Sequence, residues 1–346
     1  MSGGVDSSMA AALLVEQGYR VLGVMLRLWA EEGPAGNRCC APDAMSGARQ
    51  VADLLGIPFY VRDYREWFKQ AVVDPFVTTY AQGQTPNPCI TCNTRIRFGR
   101  LLDEARGLGA SYLATGHYVR RCPTPGGEYQ LLKGVDAAKD QSYVLYRLTQ
   151  AQLAHALFPI GDYVKPDIRS MARTRGLPVS DRPDSQDLCF LGADDYREFM
   201  ARHMPGNLRP GPMEDSAGHV LGQHPGLANY TVGQRKGLGI RASRPRYVLR
   251  LDVARNAVIV GGADELGRSE LTAHQVSYVR GQVPDGPLPV MAKIRYKAPD
   301  APAELTPLPD LRARLRFEQP LRDITPGQSV VFYTGDVLLG GGVIHA

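Results

Sequence analysis

Six cysteines and one loop of small residues carry most of the chemical potential of this 346-residue chain. The segment Asn87-Pro88-Cys89-Ile90-Thr91-Cys92-Asn93 holds a Cys-x-x-Cys pair just before a helical stretch. Three chemistries fit that spacing. A structural zinc site needs four Cys or His ligands, and no second pair of matching spacing completes one. A dithiol redox site sits directly at a helix N-terminus after a strand, whereas a long loop precedes this pair. A reactive thiol at Cys92 draws a lowered pKa from the helix N-terminus and from nearby Arg95 and Arg97. We favour the third, with ordinary loop cysteines as the plain alternative. Asp184-Ser185-Gln186-Asp187-Leu188-Cys189-Phe190 offers a further thiol, although a lone cysteine followed by Phe is more often a core residue.

The loop is Ser2-Gly3-Gly4-Val5-Asp6-Ser7-Ser8. Two glycines permit a close turn, the serines supply hydroxyls, and an apolar run follows. Such a turn can present backbone N–H groups and the positive end of a helix to a phosphate. It lacks the Gly-x-x-x-x-Gly-Lys-Ser/Thr pattern of the common P-loop. A capped helix behind a flexible Gly-Gly turn is the plain alternative. Asp6 suits either a Mg²⁺-orienting role or a simple cap.

These groups need a scaffold. Helices are expected over Ala10–Gln17, Ser46–Leu55, Glu66–Thr79 and Arg95–Leu108, with strands over Arg20–Leu28, Phe59–Val61 and Ala110–Thr115. That alternation predicts a parallel sheet with helices on both faces. Further helices are expected over Thr149–Leu157 and Pro166–Arg175. From Tyr247 onward short strands separated by turns dominate: Tyr247–Asp252, Ala257–Val260, Val276–Tyr278, Val290–Tyr296, Leu311–Phe317 and Ser329–Tyr333. They predict a small barrel or sandwich. A barrel strand carrying Lys293, Arg295 and Lys297 alternately sets three cations on one face, which reads as a phosphate stripe or as a solvated sheet face.

Composition narrows the classes. Hydrophobic residues at 44% and charged residues at 22% suit a globular protein, and a net charge of +5 is compatible with RNA without requiring it. No apolar run is long enough to span a membrane and no secretory leader is present, so a cytoplasmic protein is expected. The cysteines (Cys39, Cys40, Cys89, Cys92, Cys122, Cys189) are too few for a disulfide scaffold in a chain of this length.

Taken in order, the opening loop, Asn87-Pro88 through Cys92-Asn93, Ala114-Thr115-Gly116-His117-Tyr118, Lys139-Asp140-Gln141-Ser142-Tyr143, Cys189-Phe190, Asn229 through Gly237 and Thr325 through Tyr333 resemble the bacterial tRNA-specific 2-thiouridylase (MnmA) family of the PP-loop ATP pyrophosphatase superfamily. The matches run almost the length of the chain. The resemblance implies an α/β fold: a Rossmann-like PP-loop domain (1–205), a small central tRNA-binding domain (206–270) and a C-terminal β-barrel (271–346). It implies ATP-dependent 2-thiolation of uridine 34 in tRNA(Lys), tRNA(Glu) and tRNA(Gln), through adenylation of the C2 oxygen and transfer of a persulfide sulfur, with AMP and pyrophosphate released. ATP with Mg²⁺ would be held by Met1, Ser2, Gly3, Gly4, Val5, Asp6, Ser7, Leu26 and Gly116. Cys189 would carry the persulfide, supplied by a cysteine desulfurase or a persulfide relay protein. Cys92 would be the second catalytic thiol, either freeing the sulfur or attacking the persulfide and ending in a Cys92–Cys189 disulfide. Asn87, Pro88, Cys89, His117, Lys139, Asp140, Gln141, Arg295, Tyr296 and Gln328 would contact tRNA.

Two departures accompany the resemblance. Cys89 stands where many members carry Asp, so Cys89, Cys92 and Cys189 form an alternative ligand set for a [4Fe-4S] cluster. A PP-loop thiolase acting on another base and a non-catalytic tRNA-binding protein are rival readings of the whole. The short apolar strand that precedes the loop in the family is missing ahead of Met1, from which the natural start is expected upstream.

Overall fold

The computed structural model describes residues 1–29, 42–184, 188–191, 196–204 and 208–345. Cys39, Cys40, the Ser185–Asp187 part of the second cysteine motif and the expected domain boundary at 205–206 lie outside the described residues.

Helix α1 (Val5–Glu16) starts at the loop itself. Gly4 is its N-cap in extended conformation, so Val5, Asp6 and Ser7 are already helical and the expected start at Ala10 is corrected. Strand β1 (Gly23–Arg27), helix α2 (Pro42–Leu54) and strand β2 (Phe59–Asp63) follow, with β1 and β2 parallel in register from Gly23↔Phe59 to Arg27↔Asp63. Helix α3 (residues 65–81) contains a π-helical stretch at Lys69–Val73. Helix α4 (residues 88–107) opens at Pro88, winds as a π-helix over Cys92–Leu101 and kinks at Gly99. It therefore begins before Cys92, well ahead of the expected start at Arg95.

Strand β3 (Leu113–Ala114) is only two residues of the expected Ala110–Thr115. Strands β4 (Val119–Pro123) and β5 (Tyr129–Lys133) form a hairpin that the sequence reading missed. Helix α5 (Gln150–Ala154) is opened by a reciprocal capping box between Thr149 and Gln152, and the chain then extends into β6 (Ala156–Leu157), parallel to β3. The expected helix to Leu157 is thus cut short, because a brief apolar run carries no periodicity that separates helix from strand. Helices α6 (Lys165–Thr174) and α7 (Tyr196–His203) complete the unit. The parallel sheet is present, as two separate strand pairs among the described residues.

The central sheet has strands β7 (Gly211–Glu214), β8 (Val220–His224), β9 (Tyr247–Asp252) and β10 (Ala257–Gly261) in the order β8-β7-β10-β9. Then come β11 (Arg268–Tyr278), β12 (Leu288–Lys293), β13 (Ala301–Leu308), β14 (Arg312–Leu321), β15 (Ser329–Thr334) and β16 (Val337–His345). Their order is β11-β14-β13-β12-β15-β16, and β16 pairs back to β11, which closes the barrel. Closure removes both sheet edges. On β14, Ala313, Leu315 and Phe317 point into the core while Arg312, Arg314 and Arg316 are exposed, the period-two pattern of a strand buried on one face. The expected stripe of Lys293, Arg295 and Lys297 is not formed. Strand β12 stops at Lys293, and Arg295 and Lys297 lie in the turn beyond it.

The first unit and the barrel share a sheet. The β4–β5 hairpin adds to β16 through Leu132↔Val337 and Leu131↔Leu338, braced by Arg120–Asp336 at 2.8 Å. Among the described residues no helix is long and apolar enough to cross a membrane.

Gly161 sits where a side chain has no room: a Cβ there would lie 2.0 Å from the Val119 carbonyl oxygen. Gly161→Ala should cost about 1–3 kcal/mol through overpacking, read as a lower thermal midpoint of the whole chain. An unchanged midpoint would show that β4 shifts freely.

Candidate functional site

Local backbone geometry shapes the loop. Gly3 has φ +74°, and a Cβ on it would sit 2.2 Å from the Ala44 carbonyl oxygen, so only glycine serves there. Ser2 N donates to Ser7 Oγ at 3.1 Å, and the Ser8 hydroxyl donates to the Gly4 carbonyl at 3.0 Å. These bonds tie the loop across its mouth. From the other side, the segment after β3 presses in: a Cβ on Gly116 would lie 2.6 Å from the Asp6 carbonyl carbon and 2.7 Å from Ser7 N. Gly116 is therefore placed against the loop, where only a residue without a side chain fits. Val5 is buried in the core, so it can offer a ligand only its backbone. Leu26 lies on β1, half-buried, and Met1 is joined at its amino group to the Val24 carbonyl.

The charges around the loop form one network. Asp6 receives the Tyr118 hydroxyl at 2.8 Å and the Lys165 ammonium on both oxygens at 2.7 Å. Lys165 also reaches Asp184 at 3.0 Å, and Asp184 takes Lys139 and Arg169 at 2.8 Å each. Burial pushes the Asp184 carboxyl up, but hydrogen bonds from Lys139 and Lys165 outweigh it and hold the pKa at about 2. Arg182 donates to the Gly3 carbonyl at 3.0 Å. Sequence reasoning missed Lys165, Arg169 and Arg182. A signal existed for the first: Lys165 opens α6, where the helix dipole disfavours a cation.

The thiols sit differently from expectation. Asn87 caps α4 by accepting the Cys89 N–H at 3.1 Å, which places Cys89 in the first turn and Cys92 one turn further on, buried. Burial raises the Cys92 pKa, with the charge and hydrogen bond of Arg97 acting against it. The expected lowering is thus corrected: Cys92 lies past the helix terminus, and Arg97 acts while Arg95 is exposed. Cys89 is exposed as a residue, yet the surrounding protein desolvates its thiol and, with the neighbouring Cys92, pushes it up to about 11. Cys189 packs, partly buried, against the same hydrophobic cluster that contains Cys92. Its neighbour Phe190 is gripped by Phe68, Phe76 and Phe199, with ring centroids 5.1–5.9 Å away. Cys89, Cys92, Cys122 and Cys189 are all reduced. Among the described residues no three His, Cys, Asp or Glu side chains gather as a metal site, so the three thiols do not form a ready cluster cradle.

The remaining sequence-selected residues fall into two groups. Around the cysteine loop, Gln328 donates to the Thr85 carbonyl at 3.0 Å, Pro88 is buried, and Tyr296 lies near enough to Cys89 for the two to perturb each other; its hydroxyl is pushed up to about 12, mainly by burial. Arg295 pairs with Asp323 at 2.7 Å. The second group is more enclosed. His117 is buried, bonded to Thr115 at 2.8 Å, and held neutral with a pKa of about 3 by burial and by Arg97. Asp140 is buried and accepts from Gly134 N, Ser142 N and Ser142 Oγ, while Gln141 accepts from Tyr118 N. Lys139 joins the network at the loop.

Three family models match this chain: a tRNA methyl transferase HUP domain over residues 1–193, a tRNA methyl transferase PRC-barrel domain over 197–262 and an aminomethyltransferase beta-barrel domain over 268–344. Proteins named tRNA-specific 2-thiouridylase MnmA are similar over the full length. The one from Moorella thermoacetica is 51% identical, covering 100% of this chain and 98% of its own. That from Magnetococcus marinus is 53% identical, covering 99% and 97%. That from Roseiflexus castenholzii is 48% identical, covering 99% and 97%.

Because Arg97 opposes the effect of burial on Cys92, Arg97→Met should raise the Cys92 pKa further. Alkylation of Cys92 by iodoacetamide at pH 8, followed by peptide mass spectrometry, should slow by roughly tenfold per pKa unit gained and recover as pH rises. Equal rates in both proteins would remove Arg97 from the thiol's environment.

Proposed function

The chain belongs to the tRNA-specific 2-thiouridylase (MnmA) family, and we infer from that membership a reaction divided between its loop and its thiols. It is an ATP-dependent tRNA sulfurtransferase of the PP-loop superfamily that replaces the C2 oxygen of wobble uridine 34 by sulfur, releasing AMP and pyrophosphate. The observation that carries the reading is the tie of Asp184 to the loop through Lys165: Cys189 follows Asp184 by a few residues in the sequence and packs against the hydrophobic cluster that contains Cys92.

On the ATP side, Met1 to Ser7 would line the nucleotide, with Leu26 at the adenine and Gly116 close against the loop. The N–H groups of the first α1 turn would face the phosphates. Asp6 and the serine hydroxyls are hard oxygen donors that fit a Mg²⁺ arriving with the triphosphate, and the ion would offset phosphate charge as pyrophosphate departs. Adenylation turns the C2 oxygen of uridine into part of a good leaving group.

On the sulfur side, the terminal sulfur of a Cys189 persulfide attacks C2 and AMP leaves. The Cys92 thiolate then attacks the Cys189 sulfur, which frees the thiocarbonyl on the base and leaves a Cys92–Cys189 disulfide. An external dithiol supplies the two electrons that restore both thiols. Burial of Cys92 keeps it protonated until this step, with Arg97 placed to favour the thiolate once it forms. Asn87, Pro88 and Cys89 would approach the target base. His117, Lys139, Asp140, Gln141, Arg295, Tyr296 and Gln328 are proposed as the tRNA contact set, the buried members acting by shaping the surface. The substrates are tRNA(Lys), tRNA(Glu) and tRNA(Gln), and the sulfur comes from a cysteine desulfurase or a persulfide relay protein.

Reconstituted thiolation with ATP and unmodified tRNA tests this. Cys189→Ser should lower 2-thiouridine formation by roughly 10³-fold or more while tRNA binding is retained; unchanged thiolation would overturn the role of Cys189. Anaerobically purified protein stripped of iron by a chelator should keep full activity with a persulfide donor. A requirement for stoichiometric iron would overturn the persulfide route in favour of the cluster.

A further inference from the structure

Lys165 is 7% exposed, yet it carries an ammonium and stands at the first position of a helix. Its backbone N–H is satisfied by Asp136 at 2.8 Å, so the cap is made by another residue and the side chain is not needed for it. Local preference argues against a cation here, because the first turn of a helix is positive. Burial argues against it too, since an enclosed ammonium needs full pairing. What the position offers is reach. The Lys165 ammonium lies 2.7 Å from both oxygens of Asp6, the second residue of α1, and 3.0 Å from Asp184.

The charges at this point do not cancel. Lys139, Lys165 and Arg169 share the two carboxylates of Asp6 and Asp184, Asp136 adds a third carboxylate at the Lys165 N–H, and Arg182 adds a fourth cation on the Gly3 carbonyl. The surplus is positive and lies beside the N–H groups of a 12-residue helix. Both features favour an anion of high charge density over a neutral or singly charged one.

We propose that Lys165 is the residue that binds the pyrophosphate end of ATP and stabilises it as leaving group, with Asp184 holding the ammonium in reach of the loop. This rests on the assignment of the loop to ATP. Without nucleotide the ammonium sits on Asp6. With the triphosphate bound, the Asp6 carboxylate would be the oxygen donor for its cation, and the Lys165 ammonium would turn to the β and γ phosphates. Negative charge grows on those oxygens as the α–β bridging bond breaks, so an ammonium held there in the nucleotide complex lowers the barrier as well as binding the product.

The test is calorimetric titration of the full-length chain with Mg²⁺ present, using inorganic pyrophosphate and AMP as separate probes. Lys165→Met should weaken pyrophosphate binding by about tenfold or more, the loss of one charge-assisted contact, and leave AMP binding within about twofold. Lys165→Arg should restore most of the pyrophosphate affinity. Should Lys165→Met fail to fold, Lys165→Gln is measured against the same two probes. Pyrophosphate binding that is unchanged, or lost in equal proportion with AMP, overturns the role of Lys165. Wild-type protein that binds neither ATP nor pyrophosphate overturns the underlying ATP assignment instead, so the two failures are distinct.

Discussion

Burying the Lys165 ammonium obliges the protein to surround it with carboxylates, and the carboxylates used belong to the two segments on which the chemistry depends. Asp6 is part of the phosphate loop. Asp184 begins the segment that ends at Cys189. One cation therefore ties the start of α1 to the segment that leads to Cys189, and Lys139 and Arg169 extend the tie to the loop before Asp140 and to the body of α6. Loosening this knot would disturb nucleotide and sulfur sites together. The reaction requires the two to be close, since adenylation of the C2 oxygen and sulfur attack on C2 act on one carbonyl of one base.

A second constraint acts on the cysteine loop from the barrel. The turn between β14 and β15 reaches across to residues 84–86: Thr85 N donates to the Pro326 carbonyl at 2.9 Å, and Gln328 donates back to the Thr85 carbonyl. Gly327 has φ +87°, and a Cβ on it would lie 2.8 Å from Thr85 N, so the two backbones touch. Tyr143, in the 3₁₀ turn after Gln141, donates to the Ser329 carbonyl at 2.7 Å. With the β4–β5 hairpin joined to β16, the barrel acts as a wall of the thiol site as well as a separate lobe. Its turn at residues 325–328 is hydrogen-bonded to the segment that leads into the helix bearing Cys89 and Cys92.

The cysteines illustrate how the physical reason for choosing a residue depends on where a helix begins. From the sequence, Cys92 reads as a thiolate stabilised by a helix N-terminus. In the fold, that terminus is at Pro88, Cys92 is a turn inside, and burial raises its pKa with Arg97 as the sole counterweight of the two expected arginines. Where a helix begins is among the least legible features of a sequence, because Asn87-Pro88 reads equally well as a loop and as a cap. The stripe of Lys293, Arg295 and Lys297 failed for a similar reason: alternation extends only as far as the strand, and β12 ends at the first of the three.

What the sequence determined by itself was local and ordered. The glycines of the opening loop, the Cys-x-x-Cys pair, Gly116 and the alternating barrel strands are legible because each depends on neighbours a few residues away or on a short motif. The closed barrel, the shared sheet of β4, β5 and β16, and the Asp6–Lys165–Asp184 network were decided only by tertiary structure. Asp6 and Lys165 are 159 residues apart, and Gln328 and Thr85 are 243 apart. No local propensity encodes a meeting over such distances. It arises because burying apolar faces brings those segments together, and the charges that arrive with them must then find partners.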